Sequence, residues 1–515
     1  MKRMGVLRRL IPLAALLVVA DSLVWAHVGS PDVFYEGQAG PYHLFVTIRV
    51  PQVVPGIASI EVRSESPRVR QVRIVPLRLT GPGSKYPPTP DVAGHSRTDP
   101  QFFSGSLWLM EFGSLQVRIL VDGDRGEGQL AVPVLAEAQR VLPMQRPLGV
   151  LLAALMALLA GAIISIAGAG SREAQLEPGA EPGARERHLG RTALGIAAAI
   201  VVAVLLAGNR WWNVEAARYT HNIYRNPDVA AALESGNRLI LRSNDSKWVE
   251  QAKRQPLIPD HGHLVHVFLM RVPALDEFWH LHPGPTAPGT FAVDLPSVPA
   301  GRYQVFADIV YASGFPETLV STIDLPEVVG RPLRGDDSAT AAPPIRNSGG
   351  DTRVFDFPDG SGRMLWKAPV SLIKANTPAE FRFRVEDAGR QPVNDLEPYM
   401  GMAIHGEIVR SDCKVFAHVH PAGSVSMAAL ELAESGLRGS GAGIAASSEA
   451  GPGVGPEASF SENSMGGMAM PASSEPIGPE VSFPYGFPAA GTYRLFAQVK
   501  RKGKVETGVF DAHVE

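Results

Sequence analysis

Closely spaced histidines are the residues of this chain whose types and positions favour chemistry. The stretch Asp260–Pro283, DHGHLVHVFLMRVPALDEFWHLHP, contains two apolar segments whose alternation predicts β-strands. Side chains two residues apart share a strand face. His280 and His282 should therefore point the same way, while Leu281 between them packs into a core. Neighbouring imidazoles of this kind could bind a borderline or soft metal cation. The histidines are His261, His263, His266, His280 and His282.

The same order of residues occurs a second time. The stretch Met402–Pro421, MAIHGEIVRSDCKVFAHVHP, again has a histidine, an arginine five residues later, an aromatic residue and a His-x-His-Pro ending. A further match follows each copy, PAGRYQVFA at Pro299–Ala307 and AAGTYRLFA at Ala489–Ala497. Two matches in one order indicate that a β module is duplicated. The histidines of the second copy are His405, His418 and His420.

These two clusters hold eight of the chain's 14 histidines. Three imidazoles are the minimum for a copper or zinc site, so each cluster is a candidate metal site. Spacing alone does not name the metal. For any single histidine, a surface or core position without a ligand is the alternative. The predicted ligand sets are His266, His280 and His282 in the first copy and His405, His418 and His420 in the second.

Methionines favour copper, because thioethers are soft ligands that select Cu(I), whereas zinc rarely binds them. Tyr399-Met400-Gly401-Met402 precedes the second cluster, and SMGGMAMP contributes Met465, Met468 and Met470 within a low-complexity segment. Methionine also fills gaps in cores, but no core is expected in that segment. His27 is a further candidate, since cleavage of a signal peptide before it would free its amine and ring to chelate Cu(II). Zinc is the alternative metal.

The sequence contains no catalytic constellation. A nucleophile elbow, a zincin helix and a phosphate-binding loop are missing, a cupin pattern fits poorly, and the His-Cys-His of multicopper oxidases does not occur. The one cysteine, Cys413, excludes an intrachain disulfide. A net charge of −3 with 19% charged residues gives no basic field for nucleic acid. We predict neither an enzyme nor a nucleic-acid-binding protein.

Three apolar segments predict a membrane protein. Residues 1–26 have basic residues before an apolar run, as in a signal peptide or an N-terminal anchor. Residues 147–170 and 192–209 are apolar runs long enough to span a bilayer; a pair of buried helices is the alternative. The arginine-bearing segment 171–191 between them is predicted to be a short cytoplasmic linker. Export followed by two spans places both large parts outside, so we expect the inner membrane with domains facing the periplasm.

The remaining chain is predicted to be mainly β, because it has 44 prolines, 52 glycines and many valines. Alternating apolar residues predict an exported β-sandwich over 27–140. The first histidine module is predicted over 213–326, a linker over 327–350 and the second module over 352–515. Within the second module, residues 432–480 are rich in Gly, Ala, Ser and Glu and are predicted to be a disordered insert.

The run from His261 to Ala307 resembles the exported YtkA-like domains and, more distantly, the CopC-type periplasmic copper carriers. The likeness lies in His266, Phe278, the His280–Pro283 segment and the Gly301–Ala307 segment, with their equivalents in the second copy. It covers about half of the chain and implies immunoglobulin-like β-sandwiches and copper. We therefore expect a membrane-anchored, non-enzymatic copper-binding protein for tolerance, delivery or transfer to a partner protein. A metal-free immunoglobulin-like interaction scaffold is the alternative.

Overall fold

The computed structural model describes residues 32–65, 68–177, 179–246, 248–250, 255–346, 353–367, 372–441 and 477–515. The predicted fold class is confirmed: the chain is mainly β, with paired antiparallel sheets in immunoglobulin-like modules and two long apolar helices. The described residues divide into two compact units. The first comprises residues 32–51, 55–136 and 225–515, and the second comprises residues 52–54 and 137–224.

The first unit begins with a β-sandwich within the range predicted for it. Its two sheets have the strand orders β1-β2-β3-β7-β6 and β5-β4-β8-β9. In β2 the side chains of Leu44, Val46 and Ile48 are fully buried, as the alternation predicts. The strands are β1 Val33–Ala39, β2 Tyr42–Arg49, β3 Gly56–Ser64, β4 Val69–Arg78, β5 Asp91–Val92, β6 Gly94–His95, β7 Phe102–Leu109, β8 Gly113–Gly123 and β9 Gly126–Ala136.

The first histidine module is built from two further sheets. One has the order β10-β11-β16-β15, and the other has the order β12-β17-β13-β14-β19, with β18 also paired to β17. The strands are β10 Val229–Glu234, β11 Arg238–Ser243, β12 Leu257–Ile258, β13 His266–Arg271, β14 Glu277–Leu281, β15 Gly284–Ala287, β16 Thr290–Asp294, β17 Gly301–Tyr311, β18 Pro316–Leu325 and β19 Ser338–Ala341.

The second histidine module has the same plan. Its sheets have the orders β20-β21-β22-β26 and β23-β27-β24-β25, with β28 also paired to β27. The strands are β20 Val354–Asp356, β21 Gly362–Trp366, β22 Ala379–Asp387, β23 Leu396–Glu397, β24 His405–Arg410, β25 Phe416–Val419, β26 Glu480–Tyr485, β27 Gly491–Arg501 and β28 Lys504–Val514.

The internal duplication is visible in strand pairing. In the first module β13 lies between β14 and β17, and in the second β24 lies between β25 and β27. The register is equivalent as well, since His266 lies opposite Asp308 and His405 lies opposite Gln498. Each copy therefore presents its histidines from the same strands of the same sheet.

The two modules pack on each other through these sheets. Phe278 of the first stacks on Phe496 of the second, with ring centroids 4.2 Å apart. Phe306 of the first stacks on Phe416 of the second, with centroids 4.3 Å apart. Phe278 and Phe416 hold equivalent positions in the two copies, as do Phe306 and Phe496. The paired stacks thus indicate a pseudo-twofold arrangement that turns the two histidine-bearing sheets towards each other.

The N-terminal sandwich also joins the second module. The N–H of Glu36 in β1 donates to the carbonyl of Ala422, and the N–H of Ser424 donates to the carbonyl of Phe34, at 2.8 and 2.9 Å. A Cβ on Gly423 would lie 1.9 Å from the Phe34 carbonyl oxygen, so this close backbone approach requires glycine. The loop that follows His420 is therefore held in place by a strand of another domain.

The second unit contains the helices α1, Arg146–Glu173, and α2, Ala184–His221. Both are long and apolar enough to cross a membrane. They contain the predicted spans 147–170 and 192–209 and extend beyond them. Gly168 and Gly190 lie where the helices meet, and a Cβ on Gly190 would be 3.0 Å from the Gly168 carbonyl. Small residues permit this close approach.

Some predicted boundaries differ from the structure. The predicted linker 327–350 contains strand β19, because Ser338 and Thr340 alternate inward and the strand pairs with β14. The predicted start of the first module at residue 213 lies inside α2, which continues to His221. The helix α3, Met427–Gly441, reaches into the predicted insert 432–480. Residues 442–476 of that insert lie outside the described residues.

Candidate metal centre

The eight histidines predicted as ligands from both copies form one continuous cluster where the two modules meet. The ring of His266 lies 5.5 Å from that of His418, and His280 lies 5.9 Å from His418, measured between centroids. On another side of the cluster, the ring of His261 lies 4.9 Å from that of His405. The pseudo-twofold packing of the two sheets thus brings the two predicted sites together.

The first copy supplies one complete ligand group. One ring nitrogen from each of His266, His280 and His282 lies within 4.8 Å of the others. His266 begins β13, while His280 lies in β14 and His282 follows that strand directly. This group is the ligand set that the sequence predicts for the first copy.

Hydrogen bonds fix which nitrogens of this group carry protons. The Nε2–H of His266 donates to the Asp260 carbonyl at 2.9 Å, and the Nδ1–H of His280 donates to Oε1 of Gln498 at 2.9 Å. The remaining nitrogens, Nδ1 of His266 and Nε2 of His280, lie 3.1 Å apart. With both rings neutral, two lone pairs face each other. Nitrogen ligands of a tetrahedral zinc-like ion lie about 3.3 Å apart, so this spacing allows both nitrogens to bind one cation that lies beside the line joining them.

His282 is oriented in the same way. Its Nδ1–H donates to Oδ1 of Asp337 at 2.9 Å, while its Nε2 is buried without a hydrogen-bond partner among the described residues. A carboxylate behind one ring nitrogen fixes the tautomer and makes the other nitrogen a better metal ligand. A buried nitrogen without a partner is costly unless an ion or water binds it.

The second ligand group combines residues of both modules. It consists of His261 from the first module and His405 and His420 from the second, with ligand atoms within 4.8 Å of one another. The sequence predicts His405, His418 and His420 for the second copy, so the structure places His261 where His418 was expected. The sequence could not show this exchange, because it depends on the contact between the turn that holds His261 and the second module.

The second group repeats the arrangement of facing nitrogens. The Nδ1–H of His420 donates to the Val425 carbonyl at 3.2 Å, and the His261 ring bonds to the backbone of Met400. Their Nε2 atoms lie 3.0 Å apart. His405 is fully buried, and neither of its ring nitrogens has a hydrogen-bond partner within the described chain.

His418 and His263 complete the cluster outside the two groups. Nδ1 of His418 lies 3.4 Å from Oδ2 of Asp308, and its Nε2 is buried with no hydrogen-bond partner in the described ranges. His263 stacks on His282 with centroids 3.8 Å apart and faces Asp336 at 3.5 Å. Both rings therefore extend the cluster, and the unpaired Nε2 of His418 makes it a candidate additional ligand.

Glu407 is a buried carboxyl that the sequence reasoning did not single out. It is fully buried, neither of its oxygens has a hydrogen-bond partner among the described residues, and Oε1 lies 3.8 Å from Nδ1 of His280. Phe268 holds the equivalent position in the first copy and packs on His280. Strand alternation places Glu407 on the face of His405, so this signal could have found it.

Other acidic residues also lie behind the imidazoles. Asp308 faces His418, Asp337 bonds to His282, and Asp336 faces both His263 and Lys500. Asp336 and Asp337 lie in the predicted linker, whose composition gave no reason to assign them a site. The contact of Asp308 depends on the packing of one module on the other. Together with Glu407, these residues place carboxyl groups around the imidazoles.

Burial controls the protonation of the cluster. Burial, with a smaller contribution from neighbouring imidazoles, lowers the pKa of His261 to about 4 and that of His420 to about 3. Burial also lowers the pKa of His266 and His405 well below the usual value. In the opposite direction, it raises the pKa of Asp308 to about 7. At neutral pH the histidines therefore offer lone pairs to a metal without first losing protons.

Two methionines occupy the positions that histidines hold in the first copy. Asp260 pairs with His263 across a turn, and Tyr399 pairs with Met402 across the equivalent turn. His261 and Met400 both have positive φ, at 52° and 49°. Met400 and Met402 thus replace His261 and His263 in a turn of the same shape.

The remaining candidates are His27, the three methionines of the low-complexity segment and Cys413. His27, Met465, Met468 and Met470 lie outside the described residues. Cys413 belongs to neither histidine group, and burial raises the pKa of its thiol to about 11. A third group, His43 with Glu36 and Glu65, lies partly exposed on the N-terminal sandwich, where both ring nitrogens already pair with the carboxylates.

Comparisons with known proteins leave the function open. A family model described as a domain of unknown function, DUF8832, matches residues 363–515, which is less than half of the chain. No curated protein matches the chain.

Three solved structures illustrate the similarities found. An ICAM-5 ectodomain fragment, D1–D4, matches at 8% identity over 92% of this chain and 77% of its own, with a TM-score of 0.14. A putative membrane anchored protein from Corynebacterium diphtheriae matches at 7% identity over 94% of each chain, with a TM-score of 0.15. Escherichia coli alpha-2-macroglobulin matches at 9% identity over 91% of this chain, which spans 31% of that protein, with a TM-score of 0.17. Likenesses at these scores carry no argument about function.

Proposed function

We propose that this chain is a membrane-anchored metal-binding protein whose cargo is copper, held by the histidine cluster between the two modules. The proposal rests on one observation. Several buried ring nitrogens either face another ring nitrogen or have no hydrogen-bond partner among the described residues. His266 and His280 face each other at 3.1 Å, and His405 has no hydrogen-bond partner in the described chain. Native proteins rarely leave buried polar atoms unpaired, so a bound cation is the simplest way to satisfy them.

Copper fits this ligand set better than other common ions. Imidazole binds copper and zinc, whereas magnesium and calcium prefer oxygen ligands. Each group presents three neutral imidazoles, and methionine replaces histidine in the turn at Met400 and Met402. Thioethers select Cu(I) over zinc. The resemblance to YtkA-like and CopC-type domains also supports copper, although zinc has the same minimum number of ligands.

The burial of the cluster favours holding an ion over turning over a substrate. His266, His280 and His405 are at most 1% exposed, so a substrate has no direct access to these ligands. We assign the protein a role in copper tolerance, delivery or transfer to a partner protein, without enzymatic activity. The helices α1 and α2 would anchor it in the inner membrane with the β modules in the periplasm, as the arginines between the helices suggest.

Metal content tests the proposal directly. The full chain, purified in detergent and stripped with a chelator, is incubated with buffered Cu(I) or with Zn(II), desalted and analysed for metal per chain. We expect copper to be retained and to be lost from the first group in the His280→Ala/His282→Ala variant. His95→Ala, on the N-terminal sandwich, is the matched control and should retain the wild-type content. A wild-type protein that retains neither metal would leave the interaction scaffold as the better account.

A further inference from the structure

The two ligand groups of the cluster touch each other. The ring of His261, in the second group, lies edge-on to that of His266, in the first, with centroids 6.0 Å apart. His418 bridges them, because its ring lies 5.5 Å from that of His266 and 5.7 Å from that of His405. Ions bound in the two groups would thus be separated only by imidazoles in mutual contact.

We propose that the cluster is a single two-ion centre in which the metal ions interact, one in each histidine group. This inference rests on the proposed function and deepens it. Two independent carrier sites would not need ligand rings in contact with each other. The inference is supported by two pairs of facing nitrogens. The pair His266–His280 and the pair His261–His420 have nearly the same separation, 3.1 and 3.0 Å, and they belong to different groups.

The hydrogen bonds behind each pair keep the two positions distinct. In the first group the outer nitrogens are bonded to the Asp260 carbonyl and to Gln498. In the second, His420 is bonded to the Val425 carbonyl. Each ring is therefore held towards its own partner and cannot turn to share one ion without breaking a buried hydrogen bond. Two fixed pairs predict two ions.

The charge around the cluster suits more than one cation. Four acidic residues lie behind different histidines, namely Asp308, Asp336, Asp337 and Glu407. Of these four, only Asp336 also contacts a cationic side chain within the described residues: Nζ of Lys500 lies 3.3 Å from its Oδ1. Buried charges need opposite charges nearby. Three carboxyls without a cationic partner are therefore available to balance two bound ions.

The second histidine group draws ligands from both modules, so the two-ion centre forms only when the two modules are packed together. His261 comes from the first module, and His405 and His420 come from the second. An ion in this group would therefore hold the modules together, whereas an ion in the first group needs ligands from one module only. The ring of His418 contacts rings of both groups, and its Nε2 has no hydrogen-bond partner among the described residues, so it is available to either ion.

Magnetic coupling between two Cu(II) ions tests the inference. The full chain in detergent is loaded with cupric chloride in air-saturated buffer and desalted, and the X-ray absorption edge confirms that the copper is Cu(II). Copper per chain is compared with the electron paramagnetic resonance spectrum. We expect two coppers per chain, dipolar broadening of the Cu(II) signal and a half-field transition.

The variants separate the possible results. His282→Ala and His420→Ala should each lower the content to one copper per chain and abolish the broadening and the half-field transition, while His95→Ala should behave as the wild type. Two coppers without these signs of interaction, or one copper in the wild type, would overturn the two-ion centre but leave the metal-binding function intact. No copper in the wild type would overturn both.

Discussion

Asp337 accepts a hydrogen bond from Nδ1–H of His282 at 2.9 Å, and this contact determines that Nε2 of His282 faces the interior of the cluster. The same carboxylate oxygen accepts the backbone N–H of His282 at 3.2 Å. One acidic residue thus fixes both the backbone and the ring of a proposed ligand. Carboxylates in this position usually strengthen metal binding by orienting the ring and raising its basicity.

We expect Asp337→Asn to weaken copper binding at the first group by about 10- to 100-fold, the usual effect of losing such a partner. Asparagine retains an oxygen acceptor but removes the negative charge, so the fold should be preserved. Competition with a chromophoric copper chelator measures the affinity. Asp336→Asn is the matched control, because Asp336 faces His263, which belongs to neither ligand group. Equal weakening in both variants would contradict the role assigned to Asp337.

Glu407 should contribute charge to the metal-bound state but little to the metal-free fold. Burial raises the pKa of this carboxyl well above its usual value, so in acid it is neutral and glutamine matches it in size and charge. At pH 5 we expect Glu407→Gln to change the thermal midpoint of the metal-free protein very little. At pH 7 we expect a copper affinity at least tenfold lower, since a buried cation loses an anionic neighbour.

Thermal unfolding at pH 5 and chelator competition at pH 7 check these two effects. Phe268, the residue equivalent to Glu407 in the first copy, packs on His280 and supplies no charge, so Phe268→Leu is a control for altered packing beside the same ring. Unchanged copper affinity in Glu407→Gln would show that the carboxyl plays no part in the centre.

The metal-free protein should lose stability as the pH falls below about 6.5, where the histidines of the unfolded chain become protonated. In the folded state, burial lowers the pKa of His261 to about 4 and that of His420 to about 3. Between about pH 6.5 and pH 4 the unfolded chain therefore binds more protons than the folded chain. At pH 5 each such histidine lowers the free energy of unfolding by about 2 kcal/mol.

Asp308 acts in the opposite sense, because burial raises its pKa to about 7 and the folded state retains its proton longer than the unfolded state. Its stabilising effect is greatest in acid and is lost as the pH rises from about 4 to about 7. The histidines with lowered pKa are more numerous, so we expect the thermal midpoint to fall on acidification. Bound copper should reduce this loss until protons displace it. A midpoint that rises between pH 6.5 and pH 5 would contradict the assigned protonation.

The sequence predicted the β modules and all eight histidines of the cluster because both are encoded locally. Alternation placed His280 and His282 on one face, and the repeated order of residues revealed the second copy. The exchange of His261 for His418 was not predictable in this way, because it depends on the packing of one sheet on another. Asp337 was missed for a related reason, since its segment has the composition of a linker and becomes a site only through its contact with His282.

The stacked phenylalanines allow the interface to be tested apart from the ligands. Phe416 stacks on Phe306 of the other module and belongs to the same core as Phe278. Phe416→Ala should lower the stability of the fold by about 3–5 kcal/mol, as for other buried phenylalanines, and Phe416→Leu should cost less and retain the fold. In Phe416→Leu we expect the second group to lose copper affinity more than the first, because only the second draws ligands from both modules.

Copper content and affinity of Phe416→Leu are measured in the His282→Ala background for the second group and in the His420→Ala background for the first. Phe103→Leu, in the buried core of the N-terminal sandwich, is the control for a general loss of packing. It should destabilise its own domain and weaken copper binding at the second group less than Phe416→Leu does. If Phe416→Leu lowered the copper affinity of both groups equally, the second group would not depend specially on the contact between the modules. That result would contradict the assignment of ligands from both modules to the second group.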